Sequence, residues 1–269
     1  MIPVFFKIGS FEVRSYGVML ILAVAAGVWW GSKRLTAAGF PGQKLLDGTP
    51  WLLIPGALGA RIMFIAQEWG YYREHPHELW SLKFDGLTSF GGFLFGALGL
   101  IYYCRRIKLP VMRALDALAA PLLMANAVGR VGCLLNGCCF GVATQSWIGI
   151  RFATEPRYHH HPAQSYESAI NLGLMALLLL WERRGTLRPG QASGISLVLL
   201  GLGRFIYEFW RAGTREEVAQ GIASSTKIPG WPITEAHLAA VMIMFIGCTL
   251  AIVCGRARTT ENSVKNSPK

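Results

Sequence analysis

Charge is what this sequence has least of. Asp, Glu, Lys and Arg together make up 15% of its 269 residues, against about 25% in ordinary soluble proteins. That deficit excludes an ordinary soluble domain and leaves the membrane class. Acidic residues are the scarcer sign, and the formal net charge is +11. In a soluble protein such an excess would point to nucleic acid. Here the basic residues fall mostly in short loops between apolar runs, which membrane topology explains and a nucleic-acid partner does not. A disulfide framework is also missing. Cys104, Cys248 and Cys254 lie in or at the ends of apolar runs, where cysteine is a small hydrophobe, and only Cys133, Cys138 and Cys139 cluster. No internal repeat is visible, which counts against the usual transporter architecture. No histidine spacing completes a zinc site, so neither a metal nor a cofactor is expected.

What is present is apolar length. A span needs about 20 mostly apolar residues, and seven segments approach that: about Ser15–Leu35, Pro50–Ala66, Leu87–Cys104, Leu115–Leu135, Tyr166–Trp181, Ala192–Trp210 and Ala236–Cys254. The fourth is interrupted by Pro121 and carries Arg130. The first is expected to be a retained span and not a cleaved leader, because its apolar stretch continues through Trp29 and Trp30 to Lys33–Arg34. With the N-terminus outside, fourteen Lys and Arg fall on the inner side and nine on the outer, so the positive-inside rule sets the N-terminus out and the C-terminus in the cytoplasm. The expected fold is an all-α polytopic helix bundle. It forms one membrane domain over residues 1–258, with outer segments near 148–162 and 212–234 and a disordered cytoplasmic tail over 259–269.

Three arginines, Arg61, Arg130 and Arg204, stand inside these spans, and Asp116 and Glu208 lie in or near them. An arginine at a helix centre costs about 2.5–3.5 kcal/mol on insertion scales. Arg204 and Glu208 share a helix face at i, i+4 and could simply pair. Bundles are nonetheless held by small residues without charges, so convergent arginines favour an anion site. That reading is preferred for Arg130 and Arg204 and is evenly balanced for Arg61. The run from Gly129 to Gly141 places four glycines around Arg130 at the end of an apolar segment. Glycine permits close backbone approach to a ligand, and arginine offers a planar fork to phosphate oxygens. A glycine-capped helix end is the plain alternative.

This run resembles the signature Gly-Arg-x-Gly-Asn-x-x-Asn-x-Glu-x-x-Gly of the prolipoprotein diacylglyceryl transferases, matching it at Gly129, Arg130, Gly132, Asn136 and Gly141. Further family-like motifs follow in order: Tyr16-Gly17, Gly59-Ala60-Arg61, Gly91-Gly92, His161-Pro162-Ala163-Gln164-Ser165-Tyr166-Glu167, and Arg204-Phe205 with Glu208 and Arg211. The resemblance spans roughly Ser15 to Cys254. It implies transfer of the diacylglyceryl group of phosphatidylglycerol to the lipobox cysteine of a prolipoprotein signal peptide, in the bacterial inner membrane. Arg130, Arg204 and Glu208 would be catalytic, and Tyr16, Arg61, Arg130, Asn136, Gly141 and Arg204 would bind the lipid. The sequence departs from the family pattern at three polar positions: Phe90, Cys133 and Cys138 replace a His, an Asn and a Glu. Phenylalanine cannot accept a proton. The histidine run 159–161, which a surface position would leave solvated, and the candidate reactive thiols Cys133, Cys138 and Cys139 are the substitutes on offer. The thiols could equally be structural, pair in a disulfide, or hold a metal. A divergent paralogue with another acceptor, a redox or non-catalytic membrane protein, and an anion transporter are the competing readings, the transporter last.

Overall fold

Apolar runs this long can satisfy their backbone groups in lipid only as helices, and helices are what they form. The computed structural model describes residues 2, 4–8, 11–80 and 88–265. A hairpin of β1 (Val4–Ile8) and β2 (Phe11–Arg14) leads into α1 (Ser15–Ala37). There follow α2 (Gln43–Asp47), α3 (Thr49–Gln67), α4 (Trp69–Glu74), a 3-10 turn at Pro76–Trp80, α5 (Ser89–Arg106) and α6 (Val111–Asn136). The second half contains β3 (Ile150–Phe152), β4 (Glu155–His160), α7 (Ala163–Glu182), α8 (Gln191–Glu208), β5 (Ala212–Gly213), α9 (Arg215–Ala219), β6 (Ser225–Thr226) and α10 (Glu235–Lys265). Each of the seven apolar segments coincides with one long helix, and Leu87 at the expected start of the third lies outside the described residues. By length and composition α1, the stretch Gln43–Gln67, α6 and the Glu235–Arg256 part of α10 are able to cross a membrane. The last helix continues to Lys265, and residues 266–269 of the expected tail fall outside the described residues.

One expectation is corrected. Pro121 does not interrupt α6, which runs unbroken through it. Neighbours in a membrane bundle can absorb the backbone group that proline frees, and Pro121 is among the most buried residues. The chain is mostly helical, consistent with the expected all-α membrane fold, with three short two-stranded pairings in the N-terminal hairpin and in two connecting segments.

Contacts divide the chain into two compact units, residues 31–114 and residues 1–30 with 115–269. In the first, α3 and α5 meet through glycines. A Cβ on Gly91 would collide with the Gly59 carbonyl, and one on Gly99 with the Trp51 carbonyl. This small-residue contact lets helices associate where lipid supplies no hydrophobic drive. Thr88 closes the start of α5 by donating both its amide and its hydroxyl to the Ala60 carbonyl, at 3.2 and 3.1 Å.

In the second unit the apolar core is built from Ala119, Ala120 and Leu123 of α6, Leu178 of α7, and Ala192 and Leu199 of α8. Helices α8 and α10 approach through Gly194 and Gly247, each of whose Cβ positions lies under 3 Å from the other's carbonyl oxygen. Asp116 of α6 completes the start of α8 from outside. Its carboxylate accepts from the Gly190 amide (2.6 Å), the Ser193 amide (2.9 Å) and the Ser193 hydroxyl (2.7 Å). An anion at a helix N-terminus satisfies orphan donors and the positive end of the dipole together. Beyond the ends of α6 and α8, segment 141–143 binds both outer segments. The Gly141 amide donates to His161, Val142 to Trp210 and Ala143 to Ile222, at 2.6–2.8 Å.

Candidate active site

The second unit brings the ends of three helices together. The last turns of α6 carry Arg130 and Cys133, the first turns of α7 carry Glu167, and the end of α8 carries Arg204, Tyr207 and Glu208, with Arg211 just beyond it. Arg204, Tyr207, Glu208 and Arg211 are spaced i, i+3, i+4, i+7, one helix face. Tyr207 is 1% exposed, and three guanidinium groups surround its ring. The carbons of Arg204, Arg130 and Arg211 lie 4.8, 5.7 and 5.8 Å from the ring centre, within cation–π range.

Two carboxylates answer the three arginines. Arg130 Nε lies 2.6 Å from Glu167 Oε2. Glu208 Oε2 lies 3.2 Å from Arg204 Nη2 and 3.4 Å from Arg211 Nη1, and Glu208 is fully buried. Its other oxygen accepts from the Thr234 hydroxyl at 3.2 Å, and Thr234 in turn contacts His237 Nδ1 at 3.0 Å. Arg211 also donates to the Tyr207 hydroxyl and to Ser224, each at 3.2 Å. Three positive and two negative groups leave one positive charge in excess. Among the three side chains Arg204 is the most open, at 27% exposed against 20% for Arg130 and 11% for Arg211. A preorganised cationic cluster with one partly open guanidinium is suited to an anion, or to charge that develops during a reaction.

Tyr16, the second residue of α1, is 39% exposed and lies beside α6 at Gly132. A Cβ on Gly132 would stand 2.9 Å from Met19 Cβ and 3.5 Å from the Tyr16 ring, so glycine is what allows α1 this close. Asn136 ends α6, and its side chain contacts the Cys138 thiol. Gly141 is confined by backbone: its Cβ position falls 2.6 Å from the Trp210 oxygen and 2.7 Å from His161 Cβ. Arg61 and Phe90 belong to the other unit. There Arg61 donates to the Glu78 carbonyl at 3.2 Å and lies over the Tyr72 ring, while Phe90 is half-buried in the first turn of α5.

The histidine run is only partly a solvated surface stretch: His159 is exposed, whereas its neighbours are not. His160 is fully buried, its Nδ1 donates to the Gly141 carbonyl at 3.0 Å, and Phe140 packs on its ring. Burial holds His160 below the ordinary histidine range. His161 Nδ1 meets the Tyr166 hydroxyl at 3.0 Å. His160 is the last residue of β4 and the one residue of that strand that is buried, after four exposed ones.

The cysteine cluster is real in space. The sulfurs of Cys133, Cys138 and Cys139 all lie within 4.8 Å of one another, and all six cysteines are free thiols. Cys139 has φ of 64°, a left-handed conformation that costs a non-glycine residue about 1–2 kcal/mol. Its thiol is held well below the ordinary range, first by hydrogen bonds from Cys133 and Cys138 and then by the positive charges of Arg211 and Arg130.

Sequence reasoning singled out Arg130, Arg204 and Glu208, and they converge here. It gave no role to Tyr207, Thr234 or Gln164, and it quoted Glu167 and Arg211 only as motif letters. The i+7 step from Arg204 to Arg211 was the available signal for the latter.

Comparison with known proteins points the same way. A family model described as prolipoprotein diacylglyceryl transferase matches residues 3–253. A phosphatidylglycerol–prolipoprotein diacylglyceryl transferase of Clostridium tetani is 30% identical over 221 residues, 81% of this chain and 88% of that protein. One from Parasynechococcus marenigrum is 30% identical over 257 residues, covering 91% of each chain. A Clostridium perfringens relative named as the second such transferase is 31% identical over 228 residues, 82% of this chain and 87% of its own.

Proposed function

Because the chain belongs to the prolipoprotein diacylglyceryl transferase family, we propose that it moves the diacylglyceryl group of phosphatidylglycerol onto the lipobox cysteine of a prolipoprotein signal peptide. The observation that carries this reading is the cluster of three arginines and two carboxylates around Tyr207, with its one excess positive charge. In the reaction the acceptor sulfur attacks the glyceryl carbon bonded to phosphate oxygen. A thioether forms, the carbon–oxygen bond breaks, and glycerol phosphate leaves with the electron pair. Negative charge grows on the leaving phosphate, and preorganised guanidiniums stabilise it. Arg204, the most open, and Arg130 take the catalytic roles, and Glu208 orients Arg204. Tyr16, Asn136 and Gly141 are the further lipid contacts in this reading.

A free thiol near pKa 8.5 is only a few per cent thiolate at neutral pH. With phenylalanine at position 90, a positive field replaces a dedicated base: the same cationic cluster that receives the phosphate favours the acceptor thiolate, whose proton passes to solvent. The topology that goes with this reading is seven spans with the N-terminus outside and residues 259–269 cytoplasmic. The ends of α6 and α8 and the start of α7 then lie at the outer face of the inner membrane, where the signal peptide is reached.

The test is mass spectrometry of a lipobox peptide incubated with the protein and phosphatidylglycerol under reducing conditions. A diacylglyceryl mass on the peptide cysteine is expected, with the rate falling about 10²–10³-fold in Arg204→Ala and Arg130→Ala, the usual cost of removing a transition-state donor. An unmodified peptide beside an active family enzyme would mean another acceptor or another task on the same scaffold, the reading that Phe90, Cys133 and Cys138 favour.

A further inference from the structure

We propose that Cys133, Cys138 and Cys139 form a three-thiolate site for a soft, thiophilic metal ion, Cu(I) in preference to Zn(II). The three sulfurs already stand within 4.8 Å of one another. Around one ion at about 2.3 Å they would stand roughly 3.8–4.0 Å apart, so little movement completes the site.

The backbone holds them ready. Cys133 lies in the last turn of α6, and Gly137, at φ of 75°, turns the chain back. The Cys138 amide then donates to the Cys133 carbonyl at 3.1 Å. Gln164 and Thr154 clamp the loop, donating to the Cys138 and Gly137 carbonyls, both at 2.6 Å. Strained backbone such as that of Cys139 persists only where the surroundings over-determine it, and here it turns the third thiol toward the other two.

Ligand number and charge select the ion. Among the described residues no histidine or carboxylate joins this group of three sulfurs. Structural zinc takes four ligands in a tetrahedron, whereas soft thiolates in a lower-coordinate set suit Cu(I). Each thiol releases its proton to solvent on binding. Three thiolates and one monovalent ion carry two negative charges. Arg130, whose Nη1 lies 3.9 Å from the Cys133 sulfur, and Arg211, whose charge acts on Cys139, stand beside them, and the one excess positive charge of the arginine cluster offsets one of the two. A disulfide would use only two of the sulfurs and would need an oxidant.

The experiment uses the reduced full chain in detergent micelles, with Cu(I) presented as its bicinchoninate complex and Zn(II) in parallel. Withdrawal of one Cu(I) per chain is expected, with a sulfur-to-copper charge-transfer band in the ultraviolet. Cys133→Ser, Cys138→Ser and Cys139→Ser should each weaken binding by about 100-fold or more, at least the cost of losing an outer-shell partner. The triple variant at Cys104, Cys248 and Cys254 should bind as the parent does. Failure to withdraw copper while the thiols titrate as free, binding that survives loss of all three clustered thiols, or preference for zinc would each overturn the proposal. Should the serine variants not fold, alkylation of the unaltered chain serves instead. Cu(I) must shield Cys133, Cys138 and Cys139 in peptide mass spectra, and equal labelling with and without the ion would overturn the site. Neither readout depends on lipid transfer.

Discussion

Tyr207 stands where three guanidinium groups would otherwise confront one another across a shared space. Its ring face offers each a weak attraction worth about 0.5–2 kcal/mol, and its hydroxyl fixes Arg211. Tyr207→Phe keeps the ring and loses one hydrogen bond, worth about 1 kcal/mol, so initial rates of peptide lipidation should fall by roughly fivefold. Tyr207→Leu removes the platform and should lower the rate by about a hundredfold, toward the loss of a guanidinium itself. Glu208→Gln preserves shape but leaves Arg204 and Arg211 without their buried counter-charge. Breaking a buried pair costs about 3–5 kcal/mol, which should appear as a marked drop in unfolding temperature in micelles. The arginines and Glu208 were legible as charges inside apolar runs, where no cheap explanation exists for them. Tyr207 was not, because a tyrosine near a helix end looks like any interfacial aromatic until the arginines are seen around it. His160 was hidden for a different reason: in a run of three histidines only the tertiary contacts with Gly141 and Phe140 decide which one is buried.

Helices were readable from apolar length alone, and the observed boundaries fall within a few residues of those expected except at the end of α10, which runs on to Lys265. The short strands were not, since β3 to β6 are two to six residues long and lie in polar segments without a tight-turn signature. Each pair braces its own segment, backbone bonds from residues 141–144 tie those segments to the chain after α6, and the buried His160 makes that attachment sensitive to acid. Burial lowers its pKa in the folded state, so its contribution to stability is intact above the unfolded value near 6.5. That contribution is lost as pH falls through this value toward the folded one. Unfolding temperature should therefore decline from about pH 7 to pH 5, and His160→Gln, which retains a donor for Gly141, should flatten the decline. Asp116→Ala removes the cap that α6 provides for α8. Capping losses run about 0.5–2 kcal/mol, read in the same thermal assay, and transfer by the folded fraction should be retained because no reacting group is touched.

At the scale of the whole molecule the decisive property is sidedness. Large apolar side chains such as Ile21, Ile54 and Phe245 are 70%, 61% and 72% exposed, a surface that lipid tolerates and water does not. If the basic loops set the orientation, Ser146→Cys should react with a membrane-impermeant maleimide in intact cells and Arg184→Cys only after lysis. The reverse pattern would invert the proposed topology. Sidedness also has a history, because the chain enters the membrane from one end. Asp116 is made 74 residues before the Gly190 amide that it will hold. At synthesis rates of about 5–20 residues per second that interval lasts roughly 4–15 s. Through those seconds the carboxylate has no α8 to cap, and in the proposed topology its charge holds that end of α6 at the wet inner surface. In that topology α6 is translated early and seated late, and the emergence of α8 lets it settle.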